Sequence, residues 1–268
     1  MKTLIIIQAR IGSTRFPGKI AAQLGPCSVL EHVVRRARHR GYTVCLAIPT
    51  VDAASLTWAQ DFRRAVPDRK GDAKFVPIYF AATEEEDVLG RFYQTARWAH
   101  DMDRFTNGGE GYGCIVRLTA DCPLIPVAAI DAVAEAITEG LYDYCETRSD
   151  PSSRPNGIDA QAFTMERLQQ ATQAVDQFED SRSAREHMTP ILQRVALRPG
   201  RIKTVEGLDL DEIPGFRMTV DTPDDLERMN RWAEHVPMDP TAGRPTLVEL
   251  KHLHRTQPEL FAMVKDGK

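Results

Sequence analysis

The sequence predicts an α/β fold, a mostly parallel mixed sheet flanked by helices, formed as a single domain over residues 1–268. Three observations carry that prediction. A uniformly apolar run, Leu4–Ile7, opens the chain, as a strand buried on both faces does. Further short apolar runs alternate with stretches of helical period, the pattern of a parallel sheet. Polar segments stand directly after the first and fourth runs, where open α/β sheets bind ligands.

Taken in order, Leu4–Ile7 is the first strand. Ser28 begins a helix with Glu31 three residues on, a capping-box pattern, and Gly41 marks its end. YTVCLAI (42–48) is the second strand, residues 52–66 a helix, and FVPIYF a third strand. Thr83 and Glu86 repeat the capping-box pattern before the helix DVLGRFYQTARWAH. CIVRL (114–118) is the fourth strand, and Pro126 suits the first turn of a helix running to Glu139. Polar ETRSDPSSRPNGID is a loop by composition. Residues 146–210 are expected to leave the sheet, with helices over 164–174 and 182–195, before the core pattern resumes at FRMTV (216–220). Thr222, Pro223 and Asp225 then supply an N-cap, a first-turn proline and an N3 acid. The tail 239–268 is polar, with a helix over 246–254.

Composition narrows the functional class. A formal net charge of -4 with 42% hydrophobic and 27% charged residues is ordinary for a soluble globular protein. It argues against a general nucleic-acid binder, which would usually be basic. Five cysteines, none spaced as C-x-x-C, argue against a disulfide framework or zinc knuckle and for a reducing compartment. The N-terminal apolar run is too short for a signal peptide, and no stretch approaches the ~18 apolar residues of a membrane span. The expectation is a cytoplasmic protein with no nucleic-acid or membrane partner.

The segment QARIGSTRFPGK places Arg10, Arg15 and Lys19 among Gly12, Ser13, Thr14 and Gly18 immediately after the first strand. Glycines let backbone N–H groups approach an anion, Arg offers a bidentate fork to phosphate, and Lys a compact charge. The segment reads as a polyanion cradle or, alternatively, as a solvated turn. It is not a P-loop, since Ile20 and not Ser or Thr follows Lys19, nor does it match G-x-G-x-x-G. Asp121 follows the fourth strand and Asp221 follows FRMTV. Two strand-end carboxylates opposite a phosphate cradle suit Mg2+, which takes one or two carboxylates and completes its octahedron with phosphates and water. The competing assignments are a turn before Pro123 and a helix cap.

IIQARIGSTRFPGK, EEEDVLGRFY, VRLTADCPLI, GIDAQAF, REHMTP and RMTVDTPDDL occur in this order over residues 3–232. In these six motifs the chain resembles the cytidylyltransferase family of CMP-sugar synthetases. Its nearest likeness is to the spore-coat-polysaccharide-type members, with KDO and acylneuraminate cytidylyltransferases more distant. The resemblance implies a nucleotide-diphospho-sugar transferase fold in which 146–210 serves acceptor binding and homodimer formation. It implies transfer of CMP from CTP to a small acidic or phosphorylated acceptor, with Mg2+ and release of pyrophosphate. By the same resemblance Gln8, Ala9, Arg10, Gly12, Ser13, Arg15 and Lys19 bind the nucleotide, Arg15 and Lys19 acting catalytically. Asp87 and Arg91 join the nucleotide pocket, although an exposed i,i+4 pair on a helix is the simpler account of those two. Asp121 and Asp221 are the implied metal ligands. Asp159, Arg185, Glu186 and His187 fall where acceptor contacts or the dimer arm would lie, His187 having a purely structural role as its alternative. Departures are Ala120, where the family often has Gly, a glycine-rich insertion at 106–113, and the loop after Glu146. The rivals are a guanylyl- or uridylyltransferase, a glycosyltransferase using D-x-D (Asp101/Asp103 or Asp209/Asp211), and a non-catalytic nucleotide sensor.

Overall fold

The computed structural model describes residues 1–10, 12–49, 77–147, 156–202, 204–205, 208–209, 217–238 and 246–261. The helix expected over 52–66 lies outside them.

Strand β1 (Lys2–Gln8) carries Leu4, Ile5, Ile6 and Ile7 with no exposed surface. A short antiparallel ribbon, β2 (Gln23–Leu24) and β3 (Cys27–Ser28), leads into α1 (Val29–Ala37). The Ser28 side chain accepts from the Glu31 amide, as the capping pattern predicts. Then follow β4 (Thr43–Pro49), β5 (Ile78–Ala81), α2 (Val88–Asn107), β6 (Tyr112–Thr119) and α3 (Val127–Thr138). The cap of α2 differs from expectation: Asp87, not Thr83, accepts from Gly90 N–H, and the Thr83 hydroxyl is buried. The helix also runs on to Asn107, ended by left-handed Gly108.

One seven-stranded sheet takes the order β5-β4-β1-β6-β8-β7-β9, once β7 (Tyr144–Glu146), β8 (Gln161–Thr164) and β9 (Pro199–Arg201) are added. Neighbours β4 and β6 run parallel to β1, and β8 runs antiparallel to β6. The stretch 146–210 therefore does not leave the sheet as expected. It supplies β8 and β9, and α4 (Met165–Ala174), α5 (Ser181–Glu186) and α6 (Thr189–Val195) lie between them in sequence. The expected helix over 182–195 is two helices, broken at His187 and Met188. A two-residue ribbon, β10 (Thr204–Val205) with β11 (Leu208–Asp209), follows.

FRMTV is a second correction. Residues 217–220 form no sheet strand, although Met218 and Val220 are fully buried. Their amides bond to the loop carbonyls of Asn156 (2.7 Å) and Asp121 (2.9 Å). Next comes α7 (Pro223–Ala233), with Thr222 and Asp225 closing a reciprocal capping box, and then α8 (Thr246–Thr256).

Alternation along β1 divides the core. Ile5 and Ile7 pack with α1 and α3 residues on one face, and Leu4 and Ile6 with residues of α2, α4 and α6 on the other. All five cysteines are free and buried. Among the described residues no helix is long and apolar enough to cross a membrane. The sheet order reverses between β1 and β6, since the chain leaves β1 for β4 on one side and returns at β6 on the other. The crevice beyond their carboxyl ends is where such sheets take ligands.

Candidate active site

Three loops converge on that crevice. The first leaves β1 at Gln8, and the Gln8 carbonyl accepts from Ala120 N–H at 3.1 Å, tying it to the loop after β6. Gly18, at φ 75°, turns the loop into a single 3-10 turn, Lys19–Ala21. A side chain would be strained there, and the turn aims Lys19 inward. The second loop carries Asp121 and is pinned by Arg36 of α1, whose Nε donates to Pro123 O at 2.8 Å. The third carries Asp221. Its Val220 amide donates to Asp121 O at 2.9 Å, so the two acidic loops are bonded backbone to backbone.

Lys19 Nζ lies 2.7 Å from Asp121 Oδ2 and 2.8 Å from Asp221 Oδ1. Arg15 reaches Asp221 at 2.9 Å, and Arg217 also pairs with it. Burial acts to raise the Asp121 carboxyl, but the Lys19 ammonium and hydrogen bonds from Lys19 and Thr119 prevail and hold it below the usual carboxylate value. Asp221 is not a helix cap. That role belongs to Thr222 and Asp225, and Asp225 Oδ2 also accepts from the Asp221 amide at 3.0 Å. The Asp221 carboxylate is thereby left to face the cations.

Two clefts meet at these carboxylates. One, about 250 Å3, is lined by Gln8, Arg10, Ser13, Thr14, Arg15 and Lys19. The other, about 490 Å3, is lined by Arg117, Glu146, Asp159, Gln161, His187, Thr189 and Arg217, among others. Thr119, Asp121 and Asp221 border both.

The remaining predicted residues are distributed around this pair of clefts. Ala9 is buried beside the first, Gly12 is exposed, and Arg10 pairs with Glu85. Arg91 has no exposed surface and donates to the Glu84 and Glu85 carbonyls, so it does not belong to an exposed helical face. Its burial lowers its pKa, with Arg10 acting in the same direction. Asp87 caps α2 and meets Arg185 at 3.5 Å. Arg185 also pairs with Asp176 at 2.7 Å, so it braces α5 against the start of α2 and lines neither cleft. Glu186 is exposed and likewise lines neither, whereas Asp159 and His187 line the larger one. The D-x-D alternative at Asp101/Asp103 is remote in role: Asp103 accepts from Lys2 at 2.6 Å and from Gly111 N–H. Asp211 lies outside the described residues.

Sequence reasoning did not single out Arg117, Gln161, Thr189 or Arg217. Arg117 had a signal, being a charged residue inside the apolar run CIVRL.

Comparison with known proteins agrees with this architecture. The spore coat polysaccharide biosynthesis protein SpsF of Bacillus subtilis is 26% identical over 249 residues, covering 92% of each chain. A 3-deoxy-manno-octulosonate cytidylyltransferase of Stenotrophomonas maltophilia is 26% identical over 266 residues, covering 84% of this chain and 94% of the relative. The solved structure of a cytidylyltransferase from Leptospira borgpetersenii superposes with a TM-score of 0.68 at 21% identity, covering 100% of both chains. Residues 4–234 match the cytidylyltransferase family model, and the chain belongs to that family.

Proposed function

We propose that the protein transfers CMP from CTP to a sugar acid with release of pyrophosphate, that it does so with Mg2+, and that it works as a homodimer. The observation that carries the transfer reading is the meeting of two clefts at Asp121, Asp221 and Lys19. A cationic cleft of about 250 Å3 suits a triphosphate, and a larger one of about 490 Å3 suits a second substrate. In the reaction an acceptor hydroxyl oxygen gives up its proton to solvent and forms a bond to the α-phosphorus while the bond to the bridging oxygen breaks, and pyrophosphate leaves with the bonding electrons. Arg15 and Lys19, which line the smaller cleft, would meet the charge that grows on the leaving group. Arg36 and the Val220–Asp121 bond hold the acidic loops, so that little reorganisation is needed as the reaction proceeds.

The donor set fits Mg2+. Asp121 and Asp221 both meet Lys19, which brings their carboxylates to one place, and among the described residues no cluster of three or more His, Cys, Asp or Glu would hold a metal alone. Two carboxylates with substrate phosphates and waters are what Mg2+ takes. When bound, the ion would neutralise phosphate charge and polarise the α-phosphoryl group.

The test is pyrophosphate release with CTP, Mg2+ and a panel of sugar acids, sugar phosphates and phosphonates, beside melting shifts with CTP, UTP and GTP. Release with at least one sugar acid and the largest shift with CTP are expected. No release from any acceptor, or equal shifts by the three nucleotides, would overturn the reading.

A further inference from the structure

Lys19 is buried, with 8% of its surface exposed, and its ammonium stands where the two acidic loops meet. Nζ lies 2.7 Å from Asp121 Oδ2 and 2.8 Å from Asp221 Oδ1. An ion bridging the same two oxygens would need the same place, since Mg2+ binds oxygen at about 2.0–2.1 Å. The surrounding charge adds to the exclusion. Arg15 reaches Asp221 Oδ1 at 2.9 Å, and Arg217 pairs with Oδ2. Arg217 also meets Asp225, but Asp225 already has Arg228 at 2.7 Å. Three cations thus face two carboxylates, and a dication arriving alone meets a net positive charge.

The carboxylates are the fixed part of this arrangement and the cations the movable part. Arg36 holds the Asp121 loop through Pro123 O at 2.8 Å, and the Asp221 amide donates to Asp225 Oδ2 at 3.0 Å. The Lys19 backbone is held too, its N–H donating to Phe16 O and its carbonyl accepting from Ala22 N–H, both at 3.2 Å. Its ammonium, on a flexible four-carbon stem, can turn without backbone movement. The Arg15 side chain is 63% exposed. Both residues line the smaller cleft with Arg10, Ser13 and Thr14. A triphosphate seated there offers these two cations more negative charge than the carboxylates do. As they turn toward it, the place between Asp121 and Asp221 opens.

We propose that Lys19 is the resident counter-ion of Asp121 and Asp221: in the free protein its ammonium closes the metal place, and a triphosphate in the smaller cleft opens it. The divalent ion then enters with the nucleotide or after it, and not before. This rests on the CTP and Mg2+ reading above, and it adds the order of binding and the residue that sets it. By linkage, the ion strengthens nucleotide binding by the same factor as the nucleotide strengthens binding of the ion. A site open in roughly one free molecule in ten binds its ion roughly tenfold more weakly than a site always open.

The experiment titrates Mn2+ into nucleotide-free protein and follows the free ion by electron paramagnetic resonance. It compares wild type, Lys19→Ala, Lys19→Arg, and Lys19→Ala combined with Asp221→Asn, with a melting curve for each. Lys19→Met takes the place of Lys19→Ala if the latter does not fold. Lys19→Ala is expected to bind Mn2+ roughly tenfold more tightly than wild type, or better, although it binds CTP more weakly. Lys19→Arg keeps the charge and should stay as weak as wild type, and the added Asp221→Asn should abolish the gain. A nucleotide-free wild type that binds Mn2+ as tightly as Lys19→Ala would overturn the proposal. So would an equal gain in Lys19→Arg, or a gain that survives Asp221→Asn. Pyrophosphate release by the wild type with CTP and the acceptor panel is measured on the same preparation. Release without any gain in Lys19→Ala sinks the role of the lysine alone, whereas no release from any acceptor sinks the transfer reading.

Discussion

At the scale of single residues, Asp221 concentrates the most charge. Its carboxylate meets Lys19, Arg15 and Arg217. Asp221→Asn keeps the shape and one acceptor oxygen and loses the charge. Each cation retains an alternative: Lys19 has Asp121, Arg217 has Asp225, and Arg15 is largely solvent-exposed. The capping box of Thr222 and Asp225 is untouched. Stability should therefore fall by only about 1 kcal/mol. Turnover should fall roughly a thousandfold, since each ~1.4 kcal/mol of lost transition-state stabilisation is a factor of ten. CTP binding measured without metal should be no weaker than in wild type, because Lys19 and Arg15 are released toward the phosphates. Near wild-type pyrophosphate release would remove Asp221 from the reaction, and an unfolded variant would give it a structural role. The carboxylates and the lysine that meet here were legible from their places beside apolar runs. Arg117 was legible only as a charge inside an apolar run; that it bonds Gln161 and lines the larger cleft is a property of packing.

At the scale of elements, the third loop depends on one glycine. Gly157 has φ 104°, and a Cβ there would lie 2.5 Å from the Met218 carbonyl carbon and oxygen. Both the conformation and the contact demand glycine, because residues 156–160 run against 217–220, which carry Arg217 and lead to Asp221. Gly157→Ala should cost about 2–4 kcal/mol, and in any folded fraction it should depress turnover more than CTP affinity. Wild-type melting and turnover would show that the two segments are not held in this register. The ribbon and α1 are joined by His32, which is wholly buried and whose Nε2 donates to Leu24 O at 2.7 Å. Burial lowers its pKa below the ordinary histidine value of 6.5, with the Leu24 bond opposing the effect and Arg36 adding to it. The unfolded chain thus binds more protons. The His32 contribution is intact above pH 6.5 and is lost as pH falls through the lower folded value. Urea midpoints should decline from just below that pH, before the carboxylates titrate, and His32→Gln should flatten the early decline. A wild-type midpoint that stays level down to the carboxylate range would contradict this.

At the scale of the whole molecule, the half of the sheet built on β1, β4, β5 and β6 was legible, and the half beyond β6 was not. Leu4–Ile7 and YTVCLAI announce themselves by unbroken apolar character, but β7 and β8 are three and four residues long and β9 is Pro-Gly-Arg. Such strands exist because neighbours pair with them, a non-local fact that periodicity does not carry. The opposite error came from FRMTV, whose buried Met218 and Val220 alternate like a strand but bond to loop carbonyls. The β9 edge bears on assembly. Leu197 and Leu141 are 76% and 57% exposed. They lie on the same edge, since Asp143 Oδ2 accepts from Leu197 N–H at 3.1 Å and Arg198 donates to Gly140 O at 2.6 Å. Among the described residues the β9 strand pairs only with β7, and it stands last in the sheet order. An edge unpaired among the described residues, beside two exposed leucines, is a place for a second copy to pack. The homodimer proposed above should use it, and Leu197→Asp should weaken the dimer by setting two like charges near a two-fold interface. Light scattering at micromolar concentration should give twice the chain mass for wild type and a lower mass for the variant, with melting behaviour otherwise retained. A wild-type monomer would refute the dimer, and a dimer unaffected by Leu197→Asp would move the interface to another face of the molecule.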